Sequence, residues 1–350
     1  MRRRASTYAW TSAIVAATTI CGCGAPRGQN GGDSTSPLEF RRPVSTYSIV
    51  ARDPETGEMG VAVQSHWFSV GPIVPWAEAG VGAVATQSLV DPAYGPLGLE
   101  MMRLGRSGPD ALRGLLESDE GRALRQVAMI DARGNIAAHT GERCIAAAGH
   151  VVGEDLQFSV QANLMEKESV WPAMAQAYRN ARAEGADLAD SMLAALDAAQ
   201  AEGGDIRGKQ SAAMLIVRGE ATGKSWEDRV FDLRVEDHPD PLGELRRLVT
   251  IQRAYLHMNA GDKAMEEDDF ERAAREYSAA EELAPQIIEI TFWRAVTLAT
   301  IDRIDESIPL FKKVFAQEPI WRELVPRLVP SGILPEEAAV EVMRRTGEDM

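Results

Sequence analysis

The residues with the most chemical potential in this chain are neutral and polar, and they stand where apolar runs end. Gln64, Ser65 and His66 close the run Gly60-Val61-Ala62-Val63, and Thr86, Gln87 and Ser88 close the run Ala79 to Ala85. Hydroxyl and amide groups at such ends can orient a bound amide or donate to a developing oxyanion. Equally, they can satisfy buried backbone groups, the commoner task of polar residues at strand ends. A third group lies in Gly203-Gly204-Asp205-Ile206-Arg207-Gly208-Lys209-Gln210-Ser211. Glycines there free the backbone to wrap a ligand, and Arg207 can clamp a carboxylate with two parallel bonds. The alternative is an Asp205 to Arg207 turn that fixes a helix exit. This loop has no phosphate-loop pattern.

Several chemistries find no support. His66, His139, His150, His238 and His257 are scattered without ligand spacing, so neither a metal centre nor a cofactor is expected. Cys144 is a lone thiol best read as a small buried hydrophobe. Neither a Ser-His-Asp order nor a Gly-x-Ser-x-Gly elbow is legible, which disfavours an esterase of the α/β-hydrolase kind.

The elements that must position these residues follow from local patterns. Residues 46–51 read as a buried strand, 53–57 as a turn and 60–64 as the returning strand. Residues 79–86 continue the sheet with small residues that admit a close second layer. Two helices follow at 96–104 and 109–117, then a hairpin at 126–139 and a strand near 156–161. Helices at 171–183 and 188–201 and strands at 212–218 and 229–235 complete the domain. Blocks of strands alternating with helix pairs predict an α+β fold, two sheets sandwiched between two helical layers.

With 350 residues and 45% hydrophobic content, the chain can bury at least one substantial core, and two globular units are expected. The net charge of -15 argues against a nucleic-acid partner, because phosphate binding needs clustered cations. Arg2, Arg3 and Arg4 precede an apolar stretch at 13–20 that is too short to span a bilayer and reads as a signal peptide. Ile20-Cys21-Gly22-Cys23 resembles a bacterial lipobox, which makes Cys23 the expected acylated first residue; ordinary cleavage without lipid is the alternative. Residues 1–23 are then the signal peptide and 24–43 a flexible tether. The expected location is the periplasmic face or cell surface, with the membrane reached only through the lipid.

The central strands carry words that resemble the domain of unknown function 1028 family, placed in the N-terminal-nucleophile hydrolase superfamily. They are Ser48-Ile49-Val50-Ala51-Arg52-Asp53-Pro54-Glu55-Thr56-Gly57, Gly60 to Ser65, Pro75-Trp76, Ala79 to Gln87, Gly203-Gly204-Asp205 with Arg207-Gly208 and Gln210-Ser211, and Asp237 to Pro241. The resemblance implies a four-layer αββα sandwich over residues 44–237. It also implies a nucleophile whose own α-amine is the base, which must be the first residue of a chain. Family members commonly begin Met-Thr. That threonine matches Thr46, with Ser45 in place of the methionine, so a cut after Ser45 is required. The alternative is that Thr46 only opens a strand. On the same resemblance Ser65 and Gln87 are further catalytic candidates. Gln64, His66, Thr86, Ser88, Asn163, Asp205, Arg207, Gln210 and Ser211 are substrate-binding candidates. The carboxylate and lysine of proteasome-like members have no counterpart near Gln64 to Ser65 or Pro75-Trp76, which counts against proteasome-style proteolysis.

Residues 238–350 read as an all-α helical-repeat domain. Leu242, Leu245, Leu248, Val249 and Ile251 form a stripe at helical spacing. Gly261, Ala264, Phe270, Ala273, Tyr277, Ala280 and Pro285 match a tetratricopeptide repeat. Ala295, Phe311 and Pro319 supply a degenerate second unit one period of about 34 residues on. The tail either binds a protein partner or docks on the central domain. Together these readings predict an exported amidohydrolase acting on a small amide or peptide bond. The alternative is a noncatalytic lipoprotein with a ligand-binding relic domain.

Overall fold

The computed structural model describes residues 46–347. The signal peptide, Cys23, the 24–43 tether and Ser45 lie outside the described residues. Strand β1 (Thr46–Arg52) turns through Asp53, whose carboxylate accepts the amides of Glu55 at 2.8 Å and Thr56 at 3.3 Å. Gly57, at φ +75°, takes the left-handed step that lets the chain return as β2 (Met59–Ser65). The antiparallel register sets Thr46 opposite Ser65 and Arg52 opposite Met59.

Strands β3 (Pro75–Glu78) and β4 (Gly82–Ser88) come next, then helices α1 (Tyr94–Arg103) and α2 (Gly108–Ser118). Strands β5 (Arg125–Asp131), β6 (Ile136–Thr140), β7 (Gly149–Gly153) and β8 (Phe158–Ala162) follow, with helices α3 (Val170–Ala183) and α4 (Leu188–Ala201) behind them. Strands β9 (Ser211–Val217) and β10 (Arg229–Val235) close the mixed region. A six-stranded sheet has the order β10-β9-β2-β1-β8-β7 and a four-stranded sheet the order β3-β4-β5-β6, every pairing antiparallel.

Alternation along each strand divides the core. Tyr47, Ile49 and Ala51 pack with Met174, Leu193 and Leu196 of α3 and α4, whereas Val50, Val61 and Val63 meet Ala83, Ala85, Ala128 and Ile130 of the facing sheet. The far side of that sheet, through Val84, Val127 and Met129, packs on α1 and α2. The small residue at the start of β4 permits this: a Cβ on Gly82 would stand 2.8 Å from the Met102 side chain of α1.

Three boundaries differ from the sequence expectation. Residues 79–81 form a turn, and β4 starts at Gly82, because Gly80 adopts φ +72°. The short strand β3 is opened by Pro75, which forgoes its ladder donor at a strand's first position. Strand β7 is a half-buried edge bounded by glycines, and its pattern carries no clear alternation.

The C-terminal region is helical, with no strand among the described residues from Leu242 to Glu318. Helix α5 (Pro241–Glu266) spans 26 residues. Its first half docks on the mixed region, with Leu242, Leu245 and Val249 joining the core that holds Tyr47 and Ile49. Arg253 binds Asp187, which caps α4, at 2.6 Å and Asp190 in its first turn at 3.0 Å. Helices α6 (Phe270–Leu283), α7 (Ile288–Thr300), α8 (Ile304–Gln317), α9 (Leu324–Leu328) and α10 (Glu336–Arg345) continue the array. Gly261 sits where a Cβ would approach the Tyr277 ring to 3.0 Å, so the small residue admits α6 against α5.

Candidate active site

Four adjacent strands of the larger sheet end at one level. The registers place Ser211 of β9 opposite Ser65 of β2, and Ser65 opposite Thr46 of β1. Asn163, just past β8, donates its backbone N–H to the Thr46 carbonyl at 3.1 Å. The two-residue period that aims Val50 between the sheets aims Ser48 and Thr46 there too. All four residues of this row are completely buried.

Within the row, the Thr46 hydroxyl donates to Ser65 Oγ at 3.2 Å. The Thr46 carbonyl also lies 3.2 Å from Gln87 Nε2 of the facing sheet and 3.4 Å from Asn163 Nδ2. Behind it extends a buried amide network. Gln126 Oε1 accepts from Gln87 Nε2 at 2.7 Å and from Asn163 Nδ2 at 2.9 Å. Gln126 Nε2 donates to Thr140 Oγ1 at 2.9 Å and to the Ala162 carbonyl at 2.9 Å. Ser48 donates to Gln87 Oε1 at 2.6 Å and accepts from Gln161 Nε2 at 2.6 Å, and Ser159 donates to Gln161 Oε1 at 3.0 Å. Thr140 Oγ1 reaches His150 Nδ1 at 2.8 Å, and burial together with nearby His139 pulls the His150 pKa down. Both causes favour the neutral imidazole at this outer end of the network.

Of the residues singled out from sequence, Thr46, Ser65, Gln87, Asn163 and Ser211 converge here. Ser211 Oγ accepts the Val70 amide at 3.2 Å and donates to the Trp67 carbonyl, so it also ties down the 66–70 turn. Gln64 does not converge: it faces the other side of the sheet, bonded to the Tyr47 hydroxyl, which Gln200 Oε1 also engages at 3.1 Å. Burial, reinforced by Asp197 and Asp205, keeps that phenol protonated well above its ordinary range. Thr86 donates to the Asp91 carbonyl at 3.0 Å, and it and Ser88 alternate away from Gln87 toward the α1/α2 side. Gln210 binds Asp237 through its side chain at 3.0 Å and donates its backbone N–H to the Ser65 carbonyl at 3.1 Å.

The charged residues lie at the rim. Asp205 Oδ2 accepts the His66 amide at 3.4 Å, which brings a carboxylate to the end of β2 from a segment far along the chain. Arg207 spends its fork on that carboxylate, with Nε at 3.0 Å and Nη2 at 2.7 Å. This geometry is the helix-exit turn rather than a clamp for a ligand's carboxylate. Lys209 pairs with Asp240 at 2.9 Å. Among the described residues no three of His, Cys, Asp or Glu gather as metal ligands, and no helix is long and apolar enough to cross a membrane.

Gln126, Ser48, Gln161 and Ser159 were not legible as site residues. Ser159 and Gln161 alternate with apolar residues in β8, but Gln126 is a single polar residue on its face of β5, and the facing sheet that makes these positions interior is a tertiary fact.

Comparison with known families places Thr46 at a boundary. The model of a family of unknown function, DUF1028, matches residues 46–245. The chain belongs to that family. A crystal structure of a DUF1028 protein from Silicibacter pomeroyi is 32% identical, with a TM-score of 0.50, over 58% of this chain and 87% of that one. No curated protein matches. The DUF1028 region therefore takes in the mixed sheets and the first turn of α5, and the rest of the helical array lies beyond it.

Proposed function

We propose that this DUF1028 protein is an exported amidohydrolase of the N-terminal-nucleophile type, with Thr46 as nucleophile on a small amide or peptide bond. The observation that carries the reading is the coincidence at Thr46: the family match begins there, and the same residue heads the polar row with its carbonyl held by Asn163 and Gln87. The packing of helix pair, sheet, sheet and helix pair supports the four-layer αββα arrangement of that superfamily.

Cleavage of the Ser45–Thr46 bond frees an α-amine, whose ordinary pKa of about 8 fits it to act as base. That amine takes the proton of the Thr46 hydroxyl as Oγ1 attacks the substrate carbonyl. The tetrahedral intermediate collapses, the proton passes to the leaving nitrogen, and the amine departs from an acyl-threonine ester. Water, deprotonated by the same amine, hydrolyses the ester and restores Thr46. Ser65, 3.2 Å from Oγ1, orients the hydroxyl, and Gln87 and Asn163 hold the nucleophile's backbone still. The test is terminal sequencing with intact mass, followed by an amidase assay. Protein starting at Thr46 is expected to be active, Thr46→Ala inactive, and Ser45→Ala still in possession of its nucleophile. If cells hold only protein starting at Cys23 and Thr46→Ala changes nothing, the mechanism is excluded.

One observation favours the noncatalytic alternative. In the uncut chain Thr46 is completely buried and its nitrogen belongs to a peptide bond, so it has no free amine to act as base. We read Cys23 as the lipid attachment point, tested by loss of lipid labelling in Cys23→Ser. Acylation at Cys23 and a free amine on Thr46 exclude one another in an uncut chain. The two proposals together require that activation release the domain from its anchor. We read the helices from 241 onward as a tetratricopeptide-like array whose first helix docks on the catalytic region and whose later helices remain available to a protein partner.

A further inference from the structure

Asn163 presents a side-chain oxygen that the fold itself does not use. The residue is completely buried. Its Nδ2 faces two oxygens, the Thr46 carbonyl at 3.4 Å and Gln126 Oε1 at 2.9 Å, and both can only accept. This fixes the orientation of the amide, because turning it over would set its oxygen against both acceptors. The remaining atom, Oδ1, has no hydrogen-bond partner. A buried acceptor without a donor is a rare and costly feature of a native interior, and sites that bind ligands are where such features are kept. The nearby amides do not meet it, since Gln126 and Gln87 already spend their N–H groups on Thr140, Ala162 and Thr46.

We infer that Asn163 Oδ1 accepts an N–H from the substrate, so that the site selects amides that carry an N–H, such as a peptide bond or a primary carboxamide, over esters and tertiary amides. The inference rests on the amidohydrolase reading for the placement of substrate beside Thr46. It adds the contact that tells an amide from an isosteric ester. An ester lacks the donor, and a tertiary amide replaces it with an alkyl group; either leaves Oδ1 unmet.

The experiment is an equilibrium titration, by ligand-observed NMR, of the full chain with N-methylisobutyramide, N,N-dimethylisobutyramide and methyl isobutyrate. The N–H amide is expected to bind about ten-fold more tightly than the other two, the usual effect of one hydrogen bond to an otherwise unpaired buried group. Asn163→Ala should bring the three ligands within about two-fold of one another. If Asn163→Ala fails to fold, the wild-type order still decides the matter, together with the ¹³C resonance of the Asn163 side-chain carbonyl, which should shift with the N–H amide and not with the ester. Equal binding of the three ligands, no binding of any, or an order that survives Asn163→Ala overturns the inference. The assignment of the nucleophile is judged separately, with Thr46→Ala. Discrimination without any Thr46-dependent cleavage supports the Asn163 contact and removes the hydrolase. Thr46-dependent cleavage of amide and ester alike removes the Asn163 contact and leaves the hydrolase.

Discussion

Replacing Gln126 by methionine isolates what the buried amide network contributes. Methionine is similarly long and unbranched, so Gln126→Met leaves little cavity and removes only polar contacts. Gln126 accepts from Gln87 at 2.7 Å and from Asn163 at 2.9 Å, and it donates to Thr140 and the Ala162 carbonyl, each at 2.9 Å. The losses are unequal. Gln87 and Asn163 keep the Thr46 carbonyl as acceptor, and Thr140 keeps His150. The Ala162 carbonyl loses a donor in a region closed to water, and the part-buried Gly149 carbonyl loses the one that Gln126 Nε2 offers it at 3.2 Å. Two groups left short at about 1–2 kcal/mol each give a destabilisation of about 2–4 kcal/mol. For a domain of this size each kcal/mol shifts the melting temperature by roughly 2–4 °C, so a fall of about 5–15 °C is expected. Thermal unfolding followed by circular dichroism, with urea titration as a check on the slope, measures it. A fall below about 2 °C would refute the idea that the network is satisfied and stabilising.

Four further outcomes are expected. Gly60→Ala should destabilise by more than about 3 kcal/mol and reduce soluble yield, because the new Cβ would lie 2.0 Å from the Leu215 carbonyl in the neighbouring strand; near-native melting would contradict that crossing. Asp119 is partly buried, which raises its pKa, but bonds from Arg125 at 2.8 Å, the Gly121 amide at 2.7 Å and the Tyr94 hydroxyl at 2.9 Å outweigh burial and hold it below the ordinary range. A depressed folded-state pKa contributes stability above the unfolded value of about 4 and loses it as pH falls through the folded value. Asp119→Asn should therefore cost about 1–2 kcal/mol at pH 7 and progressively less in acid, and a penalty independent of pH would count against this account. Glu281 joins α6 to α7 and α8 through Arg294 at 2.6 Å and Lys313 at 2.9 Å, so Glu281→Gln should speed hydrogen exchange in the helical array while the sheets stay protected. Leu245→Ala, at a completely buried position where α5 enters the sheet region's core, should cost about 2–5 kcal/mol and make the tail more susceptible to proteolysis; an unchanged digestion pattern would show the tail's docking to be dispensable.

Much of the fold was legible because its elements obey simple periods. Helices α3 and α4 and strands β9 and β10 fall within a residue or two of their sequence boundaries, each being bounded by a clear break in pattern. The site was partly legible. Thr46, Ser65 and Ser211 stand at strand ends, and strand ends of one sheet meet. Gln64 and Thr86 looked equivalent to Ser65 and Gln87, because adjacent residues differ only in which face they present, and the face is set by the pairing partner.

The sequence by itself determined the antiparallel strands, the helical tail and the neutrality of the polar runs, since local propensity and side-chain period act within a few residues. The tertiary structure alone decided which polar residues share an interior. Two sheets had to face one another before Ser48, Gln87, Gln126 and Gln161 became one network. The loop after α4 had to reach the end of β2 before Asp205 became the carboxylate beside His66 and claimed Arg207 for itself. These are long-range contacts, and what fixes them is the requirement that every polar group shut away from water find a partner. Six buried side-chain atoms among the described residues are left without one, and Asn163 Oδ1, beside Thr46, is among them.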